Sequence, residues 1–308
     1  MLKRIISTAL VLSLLLMLCV SADAEEAPAL EPVVPIAVPD GASAVPVYLD
    51  GVLLARAWAW GDMTYVSLRP LCMSLGVTMS WDGDAQHLTL DLNTLRVEGK
   101  AGQQYFTAAG RYIYAPEDWF IYGSELYLPV YALCKLLNLS ADWKDGALFL
   151  DARDCKLLTG GADYYDINFP EGDVYWLSHI IGSEAGIEPM EGKIGVGNVV
   201  LNRVKDPEFP DTVFGVVYDY EHTVQFEPVS KGTIHEEPRP EDIIAAYLVL
   251  EGADTAGNCL YFVNPDFGSY WFDNNLDFVM KLGRHNFYVS KGADNAGTNA
   301  GTDPAAGA

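Results

Sequence analysis

The residue best suited to chemistry is Glu184, which lies between Gly182 and Gly186 and has isoleucines on both sides in the sequence. A carboxyl group on an open backbone bend beside apolar surface is poorly hydrated when charged, so its pKa rises toward neutrality. Such a group can donate a proton at neutral pH. The alternative is a solvated charge at a helix end with no chemical role.

Two predicted helices would position Glu184. Apolar residues recur with helical spacing over residues 173–181, which predicts a helix that ends at Gly182. A second helix is predicted over residues 189–204, and it contains three glycines. Each glycine costs a helix up to ~1 kcal/mol relative to alanine, so a close helix crossing or a close approach of substrate is expected there. The glycines do not form a dinucleotide fingerprint, because no strand precedes them.

The rest of this half is predicted to be mostly helical. Residues 212–218 and 240–250 carry short helical patterns, the second opened by proline. Between them, residues 222–234 are predicted to form an irregular loop that carries Gln225 and Phe226. Binding residues concentrate in loops that helices hold in place, so this loop is a candidate part of a site.

The first half of the chain contains a repeat. Residues 64–81 align without gaps on residues 126–143, and the identical positions are apolar, aromatic or thiol residues. Each copy predicts a strand, an amphipathic helix and a second strand. In the first copy these are residues 64–66, 68–75 and 87–92. One unit cannot bury both of its faces, so the two copies are expected to pack together as one domain.

Composition and charge indicate a globular, exported protein. The 308 residues carry a formal net charge of −23, which disfavours nucleic acid and anionic membranes as partners because both would repel the chain. Lys3 and Arg4 precede an apolar run, and Ala22-Asp23-Ala24 is the small-x-small pattern of a signal peptidase site. A cleaved signal peptide is predicted. An uncleaved anchor is the alternative, although the run is shorter than the ~20 residues that span a bilayer.

These patterns predict an α+β protein with two folded domains. The predicted segments are a signal peptide at 1–24, a disordered linker at 25–44, a repeat domain at 45–155, a linker at 156–172, a mostly helical domain at 173–289 and a disordered tail at 290–308. The four cysteines of the mature chain are widely spaced, so buried free thiols are expected and one disulfide is left open. They are Cys72, Cys134, Cys155 and Cys259. No metal or cofactor is predicted, because neither a Cys/His cluster nor an HExxH motif occurs.

Four blocks of the second half carry a resemblance to a known family. They are SEAGIEPMEGKIGVGNVVLNRV (183–204), VVYDYEHTVQFEPVSKGTI (216–234), LYFVNP (260–265) and GRHNFY (283–288). In this order they resemble the cell-wall hydrolases of the spore-cortex-lytic, SleB/CwlJ type. The resemblance implies a lysozyme-like, mostly helical fold, a peptidoglycan substrate and lytic transglycosylase activity, with Glu184 as the catalytic residue. The chain departs from the family at Gly186, where an arginine is frequent, and at His285, which is not followed by a second histidine.

The same blocks supply candidate substrate-binding residues. An amide can hydrogen-bond an N-acetyl or hydroxyl group, and aromatic rings can pack on sugar rings. The predicted set is Gln225, Phe226, Tyr261, Asn264, Trp271 and His285. The structural alternatives are a loop amide that caps backbone groups, aromatic residues of the core and a hydrogen-bonded structural histidine.

The repeat resembles the stalk domain named after the N-terminal region of copper amine oxidases, a module of secreted Gram-positive proteins. The resemblance implies a spacer or docking role. It implies no copper, because His87 is the only histidine of the repeat domain. Cys72 and Cys134 occupy equivalent positions among apolar neighbours and are interpreted as core thiols.

Three functions are consistent with these features. A lytic transglycosylase needs one carboxyl group as acid and then base, whereas a muramidase needs a second acid. The candidates for that second acid are Glu188, Glu191, Glu227, Asp266, Asp273 and Asp277. A wall-binding protein without activity is the third reading. In each case the predicted partner is the glycan strand of peptidoglycan, and the predicted location is the cell wall or spore cortex.

Overall fold

The computed structural model describes residues 41–61, 63–92, 95–116, 119–153, 169–220 and 226–293. The predicted signal peptide, most of the linker at 25–44, most of the linker at 156–172 and nearly all of the tail therefore lie outside the described residues, as does Cys155. The domain boundaries stay predictions. None of the helices in the described ranges is long and apolar enough to cross a membrane.

The first half, here called the repeat region (residues 43–151), is built mainly of strands. Its strands are β1 Ser43–Leu49, β2 Val52–Trp60, β3 Met63–Ser67, β4 Thr78–Asp82, β5 His87–Leu92, β6 Leu95–Lys100, β7 Tyr105–Ala108, β8 Arg111–Tyr114, β9 Phe120–Tyr122, β10 Glu125–Pro129, β11 Ser140–Lys144 and β12 Ala147–Asp151. Its helices are α1 Leu68–Leu75 and α2 Val130–Leu137. The strand, helix and strand predicted for the first copy are confirmed.

The two repeat copies each contribute a strand to one shared sheet. The described strands form two sheets, with the orders β11-β12-β1-β2-β3-β10-β9 and β4-β5-β6-β7-β8. β3 and β10, the equivalent strands of the two copies, pair antiparallel with Val66 opposite Leu128. Both of these side chains are fully buried. The expected packing of the two copies is therefore confirmed, and it buries the apolar face that one copy alone would expose.

The two repeat helices end in the same way. The residue after α1 is Gly76 with φ of 68°, and the residue after α2 is Asn138 with φ of 49°. Glycine and asparagine tolerate the left-handed conformation that closes a helix. Cys72 on α1 is buried, and burial raises the pKa of its thiol to about 12. Cys72 therefore belongs to the core, as predicted.

The second half is mostly helical and ends in a small sheet, so the predicted α+β class is confirmed. Its helices are α3 Glu171–Ala185, α4 Met190–Lys205, α5 Val213–Val217, α6 Glu227–Lys231, α7 Pro240–Leu250 and α8 Tyr270–Asn275, with 3₁₀ turns at Thr233–His235 and Pro265–Phe267. The strands β13 Tyr261–Val263, β14 Leu276–Leu282 and β15 His285–Ser290 form an antiparallel sheet with β15 in the middle.

Two glycines of α4, Gly195 and Gly197, lie at close packing contacts. A Cβ atom on Gly197 would lie 2.8 Å from Val249 on α7 and 3.1 Å from Ile181 on α3. A Cβ atom on Gly195 would lie 2.9 Å from both Leu282 and Phe287. The predicted close helix crossing is confirmed at Gly197, whereas Gly195 allows a close approach of the strands Leu276–Leu282 and His285–Ser290. Both close contacts offset the low helix propensity of glycine.

Two local predictions were wrong. The first helix does not end at Gly182 but continues to Ala185, so Glu184 lies in its last turn rather than on an open bend. Gly182 is needed instead because a Cβ atom there would lie 3.0 Å from the carboxylate of Asp242. The segment predicted as an irregular loop contains α6 and a 3₁₀ turn. Pro228 suits the first turn of this short helix, and Gly232 caps its C-terminal end with φ of 78°.

The repeat region packs directly on the second half. Arg111 on β8 donates two hydrogen bonds to Glu251 just after α7, at 2.7 and 2.5 Å. The ring of Tyr112 stacks on that of Tyr247 at 5.5 Å, and Tyr114 is buried in the apolar core of the helical half. Gln104 also hydrogen-bonds Glu191 on α4. The hairpin β7–β8 therefore forms part of the support on which α4 and α7 rest.

Candidate functional site

Glu184 is held at the end of α3 by a buried lysine. Lys193 on α4 donates from Nζ to the carbonyl oxygens of Ala185 at 3.0 Å and Gly186 at 2.8 Å. The same nitrogen pairs with Asp242 at 2.5 Å, and the two side chains are 6% and 1% exposed. Carbonyls at a helix C-terminus lack partners within the helix, and a cation satisfies them well. The lysine therefore fixes the turn that carries Glu184.

The second oxygen of Asp242 completes this arrangement. It accepts a hydrogen bond from the backbone N–H of Arg239, just before α7, at 2.9 Å. The guanidinium of Arg239 donates in turn to the carbonyl of Gly186 at 2.9 Å. Three helices, α3, α4 and α7, are thereby joined by charged hydrogen bonds directly behind Glu184. The sequence did not mark Lys193 or Asp242, because charged residues in a helical pattern are normally assigned to the exposed face.

Glu184 opens onto a large cleft with a volume of about 1620 Å³. The walls come from the ends of α3 and α4, from α6, β13, the 3₁₀ turn at Pro265–Phe267 and α8, and from the turn between β14 and β15. Both apolar and charged side chains line it. A polar ligand with apolar faces fits such a lining.

The carboxyl group of Glu184 has an unusually high pKa of about 7. Burial is the main cause, because it disfavours the charged form, and the negative charge of Glu227 adds to it. The cations of Arg203 and Lys231 act in the opposite direction. The carboxyl oxygens receive no hydrogen bond from any residue that the structure describes. A carboxylic acid in this state can give up and take back a proton near neutral pH.

Arg203 is a cleft residue that sequence reasoning missed. It lies near the end of α4, is only 4% exposed and donates from Nε to the carbonyl of Leu260 at 2.8 Å. Burial lowers the pKa of its guanidinium to about 10. In the sequence, the one feature that indicated burial of Arg203 was its position in the apolar stretch NVVLNRV. Buried cations are uncommon, so this feature did not suggest a site residue.

The predicted binding residues lie in different parts of the cleft. Tyr261 on β13, Asn264 before the 3₁₀ turn and Trp271 on α8 all line it. Trp271 is 58% exposed, so its ring face is available to a ligand. The side chain of Asn264 accepts a hydrogen bond from the N–H of Asp266 at 3.1 Å, which shapes the turn. The binding roles of these residues stay predictions.

Two other predicted residues also line the cleft but are almost fully buried. Phe226 is 2% exposed and packs against Phe262 and Arg203, and its binding role stays a prediction. His285 is 5% exposed, and burial lowers the pKa of its imidazole. Its Nδ1 atom has no hydrogen-bond partner within the described ranges. Gln225, whose side-chain amide was predicted to hydrogen-bond the substrate, lies outside the described residues.

The acids considered for a second catalytic role are separated by the fold. Glu188, Glu227 and Asp266 line the cleft. The carboxylate of Glu188 is engaged by the N–H of Arg284 at 2.7 Å. The other three are bound elsewhere: Glu191 to Gln104, Asp273 to Tyr288 and Ser269, and Asp277 to the N–H of Gly292. Glu227 on α6, which is paired with Lys231 at 2.6 Å and acts electrostatically on Glu184, is the acid best placed for a second role.

Over the residues that the structure describes, no three His, Cys, Asp or Glu side chains are grouped so that they could hold a metal ion. Cys259 is buried behind the cleft wall, and burial raises the pKa of its thiol to about 12. A thiol of this kind stays protonated and unreactive at neutral pH.

Comparison with known proteins identifies two family regions. Residues 187–288 match the family described as Cell Wall Hydrolase, and residues 52–149 match the Copper amine oxidase N-terminal domain. Glu184 lies just before the first of these ranges.

Several relatives match the second half of the chain. The spore cortex-lytic enzyme of Oceanobacillus iheyensis is 33% identical over 133 residues, which are 42% of this chain and 46% of that protein. The spore cortex-lytic enzyme of Bacillus subtilis is 29% identical over 119 residues, which are 39% of this chain and 38% of that protein. The chain thus spans less than half the length of these relatives.

A solved structure is also similar. The catalytic domain of the germination-specific lytic transglycosylase SleB from Bacillus anthracis is 30% identical, with a TM-score of 0.36, and the match covers 40% of this chain and 98% of that one. The second half of the chain is thus similar to the cell wall hydrolase family, and the first half is similar to the copper amine oxidase N-terminal domain.

Proposed function

We propose that this protein cleaves the glycan strand of peptidoglycan as a lytic transglycosylase, with Glu184 as acid and then base. The observation that carries the proposal is a carboxyl group with a pKa of about 7, free of hydrogen bonds from described residues, at the wall of a cleft of about 1620 Å³. The match to the cell wall hydrolase family supports the same substrate. Related spore cortex-lytic enzymes support a location in the wall or spore cortex.

The reaction requires one carboxyl group. The Glu184 proton passes to the glycosidic oxygen between N-acetylmuramic acid and N-acetylglucosamine, and the bond from C1 to that oxygen breaks. Positive charge develops at C1 of the muramic acid ring. The C6 hydroxyl oxygen of that ring then bonds to C1, and its proton returns to the Glu184 carboxylate. The product is a 1,6-anhydro ring, and the enzyme is again in its starting protonation state.

The products of digestion test this function. The protein is incubated with purified peptidoglycan, and the soluble muropeptides are analysed by mass spectrometry. We expect 1,6-anhydromuramic ends, which weigh one water less than reducing ends. Reducing muramic ends would contradict the transglycosylase. Sedimentation with peptidoglycan and no soluble product would indicate a wall-binding protein instead.

A muramidase is the second candidate, because Glu227 faces the same cleft and raises the pKa of Glu184. In that mechanism Glu227 would take a proton from a water molecule that attacks C1. Glu227 is exposed and paired with Lys231, so its own carboxylate is well solvated. Reducing ends that disappear in Glu227→Gln would favour this reading.

The pH dependence of the rate gives a further prediction. Glu184 must be protonated to start the reaction, so kcat/KM should fall as pH rises through about 7. Glu227→Gln removes a negative charge that raises the pKa of Glu184, so this alkaline limb should move to lower pH. The measurement is a pH–rate profile of both proteins on soluble glycan fragments. A limb that stays in place or moves to higher pH in the variant would contradict the electrostatic coupling.

The repeat region has a proposed role in placing the cleft at the wall. Its hairpin β7–β8 packs on α7 through the Arg111–Glu251 ion pair, in which the two side chains are 19% and 7% exposed. A region attached in this way transmits its own orientation to the cleft. Docking of the repeat region to the wall or to another protein is part of this proposal.

A further inference from the structure

Arg203 is a buried cation of the cleft that the proposed reaction leaves without a role. Its Nε atom is satisfied by Leu260, but its Nη1 atom has no hydrogen-bond partner in the part of the chain that the structure describes. A buried polar atom left unsatisfied costs stability, and a buried charge costs more. A purely structural contact could be made by a neutral residue at lower cost. The cost of burying Arg203 therefore indicates that its positive charge has a function.

Three aromatic rings hold this charge in place. The guanidinium carbon lies 5.1 Å from the ring centre of Phe209, 5.2 Å from that of Phe226 and 5.5 Å from that of Tyr261. Contacts of a cation with ring faces stabilise it where water is excluded. The pKa of Arg203 stays at about 10, so the side chain is charged at neutral pH. The rings thus fix a permanent positive charge in the cleft wall.

Arg203 and Glu184 line the same cleft without a hydrogen bond between them. Charges interact over longer distances where water is scarce, and the cation of Arg203 lowers the pKa of Glu184. Around this pair, Glu227 and Lys231 also act on Glu184, while Asp219 and Tyr261 act on Arg203. The remaining charged groups of the cleft wall are Glu188, Glu208, Asp266, Arg239 and Arg284.

We propose that Arg203 is a positioning residue, a buried counter-charge that stabilises the carboxylate of Glu184 after it has released its proton. This inference rests on the proposed function, because only an acid that must later act as a base needs its ionised form stabilised. A direct ion pair would occupy the carboxylate oxygens and hinder the return of the proton. A cation that acts without a hydrogen bond leaves those oxygens open to the substrate.

The test measures the protonation of Glu184 directly. The full-length protein is labelled with ¹³C at glutamate side-chain carboxyls, and Glu184→Gln identifies the Glu184 resonance. Arg203→Met should raise the pKa of Glu184 by at least about half a unit. Arg203→Lys, which keeps the charge, should leave it near the wild-type value. The alkaline limb of the pH–rate profile should move upward in Arg203→Met by the same amount.

Controls separate this role from a structural one. Arg284→Met removes an exposed cation from the same cleft wall that is not among the groups acting on Glu184, so the pKa of Glu184 should not change. If circular dichroism shows that Arg203→Met is unfolded, Arg203→Gln replaces it, since its amide can still donate to Leu260. An unchanged or lower pKa of Glu184 in a folded neutral variant would overturn the proposal. The titration needs no substrate, so absence of anhydro products would overturn the proposed function but not the measured coupling.

Discussion

Glu184→Gln should reduce the cleavage of peptidoglycan by roughly 10²- to 10⁴-fold, the range typical for loss of a general acid. Glutamine keeps the size and polarity of the side chain but cannot donate a proton to the glycosidic oxygen. The measurement is the rate of release of soluble muropeptides at pH 6, where the wild-type carboxyl with its pKa of about 7 is mostly protonated.

The matched control is Glu236→Gln, the same change at an exposed glutamate outside the cleft lining, which should retain the wild-type rate. Activity of Glu184→Gln near that of the control would exclude Glu184 as the acid.

In Glu184→Gln, the free energy of unfolding should change in the opposite direction to the activity. The pKa of Glu184 is raised in the folded state to about 7 from about 4.5, so the stability associated with this group is fully present below about pH 4.5 and is lost as pH rises through 7. Glutamine does not titrate. The variant should therefore match the wild type at pH 4.5 and exceed it at pH 8 by up to about 3 kcal/mol. Thermal melts at both pH values would show that lost activity does not come from lost folding.

Lys193→Met should lower the free energy of unfolding by about 3 to 5 kcal/mol, the cost of leaving one partner of a buried ion pair alone. Asp242 is 1% exposed and would lose the cation that pairs with it. The carbonyls of Ala185 and Gly186 would lose their donor in the same variant. Urea denaturation followed by circular dichroism at pH 7 measures the change.

Lys205→Met is the control for this variant. Lys205 is an exposed lysine at the end of the same helix, and its replacement should change stability by no more than about 0.5 kcal/mol. Equal losses in the two variants would contradict the role given to the buried pair. Because Lys193 closes the turn that carries Glu184, a folded Lys193→Met protein should also cleave peptidoglycan more slowly.

Local patterns predicted most of the fold. The helix over residues 240–250 and the two repeat copies are confirmed, because their signals lie within a few turns of chain: proline at a helix start and apolar periodicity. The end of α3 could not be predicted in this way. Glycine is a residue type that commonly ends a helix, but Gly182 instead allows a close approach of Asp242, a residue far along the chain.

By itself, the sequence singled out Glu184 as the candidate acid, because it lies among glycines and isoleucines and because the four blocks in their order resemble the cell-wall hydrolases. Only the tertiary structure decided what surrounds it. Lys193, Asp242 and Arg203 had the pattern of exposed charges, yet helix packing buries all three, and Phe226 and His285 line the cleft with almost fully buried side chains. The physical reason is that burial and charge–charge interaction depend on distances in space. Residues far apart in sequence set those distances, and no local pattern contains them.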